Sequence, residues 1–248
     1  MSENNILGVV LAGGKSKRFG EDKSEIKLGS KTLLEHTLDK IKSKFNKTII
    51  VSNNKIVKDY ITIKDCIEGQ LGPLVGVLSA MKWIKKNNYS HKWIATFPCD
   101  TPFFNISIID KFIEAAKLND SLLYFVKSEE KRHNIFGLWS LKLIKTLEKD
   151  ILENDHRKVE KWANKIGVKT INISYDNIDP FFNINTKDDL AEAEKILIKY
   201  QNDRIQKSSK NTLKFKNKNS KRNNFSKKFI ESRICKKYIF PNQLSCWQ

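Results

Sequence analysis

The sequence predicts an α/β fold, a three-layer αβα sandwich around a mostly parallel sheet. Three observations predict it. Short apolar runs alternate with amphipathic stretches of about 10–15 residues, the rhythm of strands joined by crossover helices. The first run, Ile6–Ala12, is apolar throughout apart from Gly8, as a strand covered on both faces must be. It empties into Gly13-Gly14, and in such sheets ligands bind outside the carboxyl ends of the strands.

The remaining elements follow in order. Thr32–Lys44 carries Leu33, Leu34, Leu38 and Ile41 at helical spacing, continued by Phe45. Thr48–Val51 is a short β-branched strand and Tyr60–Ile63 a weaker one. After Gly72-Pro73, Leu74–Lys86 reads as a helix. Lys92–Phe97 is an apolar strand that stops at Pro98-Cys99-Asp100-Thr101-Pro102. Ile106–Leu118 is helical, Ser121–Val126 and Asn134–Trp139 are strands, Leu141–Leu152 and Arg157–Ile166 are helices, and Val168–Ile173 is the last strand. Thr186–Tyr200 closes the domain as a helix, with Thr186 as N-cap and Asp188-Asp189 in its first turn, where the helix dipole favours acids.

Composition bounds what the chain can be. With 248 residues, 40% hydrophobic and 10% aromatic, it can bury a sizeable core, which excludes a wholly disordered chain. No run of about 18 apolar residues occurs, so no membrane-spanning helix is expected. Met1–Asn5 has no cationic leader, so no secretory signal is expected either. Cys66, Cys99, Cys235 and Cys246 form no CxxC pair, which argues against a zinc ribbon and fits a reducing cytoplasm. Cys66 and Cys99 read as small, semi-buried residues.

The formal charge is +18, which favours phosphate-bearing partners or an anionic surface. Its distribution is uneven. Residues 203–248 hold thirteen Lys and Arg against two acids, leaving only +7 for residues 1–202. The chain therefore reads as a folded domain, 1–202, followed by a basic tail, 203–248. Gln206–Lys228 is rich in Lys, Asn and Ser with little apolar periodicity, too polar to offset the entropy of ordering, so a disordered tail is expected there. Phe229–Trp247 regains apolar residues and could dock or form a short helix.

The loops after Ala12, Val51, Ile63 and Phe97 lie at predicted strand ends and are the places to look. In the first, Gly13 and Gly14 allow close approach to the backbone, and Lys15, Lys17, Arg18 and Lys23 add cations. Paired glycines and cations after a buried strand outline a nucleotide-phosphate site. A P-loop is excluded, because its first glycine would fall on Val9; a dinucleotide fingerprint is excluded, because Gly13 and Gly14 are adjacent. In the Asp100 loop, prolines aim the carboxylate. An acid there suits a Mg²⁺ shared with substrate phosphates, or else an Asx-turn capping the helix that begins near Asn105. Glu68–Gly76 is a glycine-rich turn entering a helix, a place for an anion or a base edge. His133, a lone histidine, reads as surface polar.

The motifs LAGGKSKRFGEDK, GPLVG, PCDTP and NINTKDDL, in that order, resemble those of the molybdenum cofactor guanylyltransferases (MobA-like), within the wider nucleotidyltransferase group. The resemblance covers about residues 6–200. It implies a Rossmann-like nucleotidyltransferase sheet. Leu11, Ala12, Gly13 and Gly14 would cradle the nucleotide, Lys23 would contact the triphosphate, and Asp65 would contact the guanine nucleotide. Asp100 would hold Mg²⁺, the implied cofactor. Ser52, or its neighbour Asn53, stands where the family often has Asn. Gly72 belongs to the GPLVG turn. Asn183 and Asn185 match an Asn-x-Asn pair on the pterin side, and Arg157-Lys158 resembles a basic pair suited to the pterin phosphate. His133-Asn134 departs from the family's His-Pro, and Phe19 replaces the commoner Met.

The implied reaction is attack by the terminal phosphate of molybdopterin on the α-phosphate of GTP, with Arg18, Lys23 and Asp100 as catalytic residues. GTP and molybdopterin are then the partners, with a molybdoenzyme chaperone or another cofactor-biosynthesis protein as a further one. A cytoplasmic monomer without membrane or nucleic-acid ligands is expected. The rivals are CMP transfer to molybdopterin, transfer to a sugar or polyol phosphate, and, from another class, nucleic-acid binding through the basic tail.

Overall fold

The structure is a computed structural model that describes residues 5–13, 23–54, 56–69, 71–176 and 178–200. The chain divides into two units, Met1–Lys195 and Ile196–Gln248. Gly14, Lys15, Lys17 and Arg18 of the first loop, and the tail 203–248, lie outside the described residues.

In chain order the elements are β1 (Ile6–Leu11), a small hairpin of β2 (Lys27–Leu28) and β3 (Lys31–Thr32), α1 (Leu33–Ile41), β4 (Thr48–Val51), β5 (Ile61–Ile63) and α2 (Pro73–Lys86). There follow β6 (Trp93–Pro98), α3 (Ser107–Leu118), β7 (Leu123–Ser128), β8 (Lys131–Ser140), α4 (Ile144–Leu152), α5 (Val159–Ile166) and β9 (Lys169–Ile173). A last helix, α6, spans 187–200. The seven-stranded sheet has the order β5-β4-β1-β6-β8-β7-β9. Its pairs are parallel except for those made by β8, which runs antiparallel to both β6 and β7.

Alternation along the strands builds the three layers. In β1, Ile6 and Val10 pack with Leu34, Leu38 and Ile41 of α1 and with Ile108 and Phe112 of α3. Leu7 and Val9 point the other way, into a core with Leu78 and Met81 of α2, Leu147 of α4 and Trp162 of α5. All of these side chains are buried, and each fully buried aliphatic contributes about 1.5–3 kcal/mol. Gly137 in β8 is a packing requirement: a Cβ there would lie 2.7 Å from the Phe125 ring and 2.7 Å from Trp139 Nε1.

Local chemistry sets several boundaries. The Thr32 side chain and Glu35 form a reciprocal capping box that starts α1; the helix stops at Ile41, short of the expected Lys44. Leu141–Leu143 is a 3-10 turn, so α4 begins only at Ile144. The helix expected from Arg157 begins at Val159, because Arg157 is engaged in the preceding turn through its bond to the Ile151 carbonyl. β8 starts at Lys131, three residues before the predicted strand, and pairs with β7 as a long ribbon. Cys99 is buried, but Cys66 is exposed, contrary to the semi-buried expectation. Among the described residues no helix is long and apolar enough to cross a membrane.

The chain leads from β1 to β4 and β5 on one side, then returns to β6 on the other. The order thus reverses between β1 and β6, whose carboxyl ends adjoin: the Cys99 N–H donates to the Leu11 carbonyl at 3.3 Å. This is the topological switch point at which such sheets bind ligands.

Candidate functional site

A cleft of about 690 Å³ lies over the switch point, within the range of small-molecule sites. Its walls are Leu11, Ala12 and Gly13 after β1, Ser52 and Asn53 after β4, Asp65 after β5, Gly72 and Gly76 at α2, Asp100 after β6, and Asn183. The start of β8, from Lys131 to Phe136, and Phe181 complete it.

Lys23 sits at the centre of the polar contacts. Its Nζ donates to Asp100 Oδ2 at 2.9 Å and to Asn185 Oδ1 at 2.5 Å. Residues far apart in the sequence are thereby joined at one point. Asp100 is held by its own backbone, whose carbonyl accepts the Ile184 N–H at 2.9 Å, and Thr101 Oγ1 donates to its Oδ1 at 3.3 Å. Asp100 is not a helix cap. Asn105 Oδ1 instead accepts the Ser107 N–H at 2.9 Å, which leaves the Asp100 carboxylate to the cleft.

Asn185 is likewise relieved of capping duty. The Asp189 carboxylate accepts the N–H groups of Asn185 and Thr186, both at 2.9 Å, and Thr186 Oγ1 accepts the Asp189 N–H at 3.1 Å. This box starts α6 as Thr186 predicted, and the bond from the Asn185 N–H holds the Asp189 carboxyl below the usual range. Asn185 does not line the cleft directly; it reaches the site through Lys23.

On the other flank, Asn53 and Asp65 clasp each other. Asn53 Nδ2 donates to Asp65 Oδ2 at 2.8 Å, and the Asp65 N–H donates to Asn53 Oδ1 at 2.9 Å. Ser52 is buried, with its N–H on the Ile63 carbonyl at 2.9 Å, so the side chain that meets Asp65 is Asn53. Gly72 has φ +92°, a backbone open to glycine, and Pro73 follows at the first position of α2, where its missing N–H costs nothing.

The third flank was not legible as a unit in the sequence. His133 is buried rather than at the surface. Its ring stacks on Phe181 with centroids 3.8 Å apart, and its Nε2 bonds to Ser128 Oγ at 2.6 Å. Burial, with Lys131 nearby, pushes its pKa down to about 4, so the ring is neutral near pH 7. Next to it, Arg132 Nε donates to Asn134 Oδ1 at 2.8 Å. Nothing local in the sequence brings Phe181, Arg132 and Lys131 to the site beyond the adjacency of Lys131 and Arg132. Arg157 donates to the Ile151 carbonyl at 2.9 Å and pairs with Asp155 at 2.6 Å, and neither it nor Lys158 lines the cleft.

Among the described residues no three or more His, Cys, Asp or Glu gather as a metal cage. A lone cleft carboxylate, Asp100, does suit Mg²⁺, which takes one or two carboxylates and fills its octahedron with substrate phosphates and water.

Comparison with known proteins gives a consistent result. The family model described as MobA-like NTP transferase domain matches residues 8–166. A molybdenum cofactor guanylyltransferase from Rhizobium leguminosarum bv. trifolii (strain WSM2304) is 34% identical over 203 residues, covering 79% of this chain and 95% of its own length. One from Nitrobacter hamburgensis is 28% identical, covering 76% and 93%. Among solved structures, molybdopterin-guanine dinucleotide biosynthesis protein A from Archaeoglobus fulgidus has a TM-score of 0.63 at 23% identity, covering 78% of this chain and 99% of that one. The 4-diphosphocytidyl-2C-methyl-D-erythritol synthase from Anaerococcus prevotii has a TM-score of 0.56 at 15% identity, covering 79% and 96%, and shares the fold.

Proposed function

Since the chain belongs to the MobA-like NTP transferase family, we propose that it transfers GMP from GTP to the terminal phosphate of molybdopterin. A phosphate oxygen of molybdopterin attacks the α-phosphorus of GTP. The bond from that phosphorus to the bridging oxygen of the β-phosphate breaks, and pyrophosphate leaves. The product is the guanine dinucleotide form of the cofactor. The acceptor phosphate is largely dianionic near neutral pH, its second pKa being about 6, so no protein nucleophile is needed.

The observation that carries this reading is the meeting of Lys23, Asp100 and Asn185 at the switch point, 2.9 and 2.5 Å from one amine. Catalysis then rests on positioning and charge neutralisation. The backbone at Leu11, Ala12 and Gly13 cradles the nucleotide, joined on sequence grounds by Gly14 and Arg18. Lys23 contacts the triphosphate. Ser52, Asn53, Asp65 and Gly72 bound the nucleoside side, and Asn183 and Asn185 the pterin side. Asp100 would hold Mg²⁺, which supplies charge neutralisation on the triphosphate when bound. The enzyme acts in the cytoplasm as a monomer, handing its product to a molybdoenzyme chaperone or a partner in cofactor biosynthesis. Residues 1–202 would carry the transfer, with 203–248 as an accessory basic tail.

The test is turnover of purified full-length protein with GTP, molybdopterin and Mg²⁺, followed by pyrophosphate release. Release that depends on molybdopterin supports the reading. Absence of such release, or faster release with a sugar phosphate as acceptor, would overturn it.

A further inference from the structure

The reversed direction of β8 places the start of that strand in the cleft. Because β8 runs antiparallel to β6, with Thr96 opposite Gly137 and Ala95 opposite Leu138, Lys131–Asn134 comes to the same edge as Asp100. The sheet order puts it on the far side of Asp100 from Asn53 and Asp65. The cleft is thus divided by the β1/β6 switch point: the Asn53–Asp65 clasp borders one half and the start of β8 the other.

That second half is built to hold an anion. Lys131 and Arg132 both line it. The Arg132 side chain is only 20% exposed and its orientation is set: Nε donates to Asn134 Oδ1 at 2.8 Å, and Nη2 lies 3.9 Å from Glu160. The guanidinium also lies 5.9 Å from the Phe125 ring centroid. The bond to Asn134 uses one N–H of the five on a guanidinium, and a planar fork with donors to spare is suited to bidentate phosphate. The next residue, His133, turns to the other face of β8, where it stacks on Phe181, so Arg132 does not share its setting.

We propose that Arg132, oriented by Asn134, binds the phosphomonoester of the acceptor substrate in the half of the cleft formed by the start of β8. Lys131 adds a second positive charge there. Asn134 is a positioning residue that acts through Arg132. The substrate class is a phosphorylated heterocycle or other phosphomonoester, bound separately from the nucleotide. The identity of that acceptor as molybdopterin rests on the guanylyltransferase reading; the anion subsite itself does not.

The experiment measures two constants on full-length protein: acceptor KM with molybdopterin, and equilibrium affinity for GTP. Arg132→Ala should raise the acceptor KM by roughly ten- to a hundredfold, the loss expected for a hydrogen bond to a charged group, with GTP affinity unchanged. Arg132→Lys should recover part of it. Asn134→Ala should raise the acceptor KM less, and should have no further effect in the Arg132→Ala background. Lys127→Ala removes a charge from the same hairpin at a residue paired with Glu130 and outside the cleft lining; it should change neither constant. An unchanged acceptor KM in Arg132→Ala, or an equal loss of GTP affinity, would overturn the assignment. If the wild type transferred no GMP to molybdopterin, the guanylyltransferase reading would fail. Equilibrium dialysis of a simple phosphomonoester such as phenyl phosphate against wild type and Arg132→Ala would still decide the subsite: weaker binding by the variant supports it, and equal binding or none by either protein refutes it.

Discussion

Replacing Asp100 by Asn keeps the shape of the side chain and removes its charge, which separates what the carboxylate does for folding from what it does for chemistry. For folding it does little. Its partner Lys23 is 2.9 Å away, yet the two side chains remain 20% and 18% exposed, and pairs with such access to water contribute about 0.2–1 kcal/mol. The backbone bond from Ile184 to the Asp100 carbonyl survives the change. The melting temperature should therefore fall by no more than about 4 °C. For chemistry the loss is larger, because the carboxylate is the cleft's candidate metal ligand and also fixes Lys23. Removal of one preorganised electrostatic contact costs about 10²–10³ in kcat. The assay is pyrophosphate release with GTP and molybdopterin across a Mg²⁺ titration, beside a thermal melt of each protein. Asp100→Asn should lose turnover by that factor and require more Mg²⁺ for half-maximal rate, while melting close to wild type. Turnover within about threefold of wild type would refute the assignment, since the effect demanded is at least tenfold greater; so would a large fall in melting temperature, which would make Asp100 a structural residue.

Three further outcomes follow from the same structure. Asn53→Ala breaks both arms of the Asn53–Asp65 clasp and should raise KM for GTP while leaving the acceptor KM near wild type, as read in steady-state kinetics. Gly137→Ala forces a Cβ to 2.7 Å from the Phe125 ring and Trp139 Nε1; overpacking of this kind costs about 1–3 kcal/mol, visible as a lower denaturant midpoint. His133 has its pKa lowered from 6.5 to about 4 by burial and by Lys131, opposed by Asp179. The unfolded chain therefore binds the proton first, so stability is full above about pH 6.5 and is lost as pH falls toward 4. His133→Phe, which keeps the stack on Phe181, should show a flatter dependence of melting temperature between those two values.

What could be read from the sequence was local, and what could not was pairing. The Ile6–Ala12 run reads as a strand buried on both faces because every position in it is apolar or glycine, and β1 lies inside the sheet between β4 and β6 with cores on either side. Thr186 reads as the N-cap of α6 with Asp188-Asp189 in its first turn, and the structure closes Thr186 and Asp189 into a capping box. Asp100 was ambiguous between a cap and a cleft acid, and only the position of Asn105, which takes the cap bond, separates the two. The direction of β8 leaves no local signature, since strand polarity depends on which neighbours pair. With it went Arg132 and Phe181, whose partners lie on other elements. The burial of His133 escapes the sequence for the same reason. A single histidine between polar residues reads as surface, and its burial comes from Phe181, 48 positions away in the chain.

Transfer of GMP to a phosphorylated pterin is decided by side-by-side turnover with GTP and CTP at equal concentration. With molybdopterin as acceptor and pyrophosphate release as readout, the full-length protein should use GTP in clear preference to CTP. Preferential use of CTP, or equal release with no acceptor present, would rule out GMP transfer to the pterin.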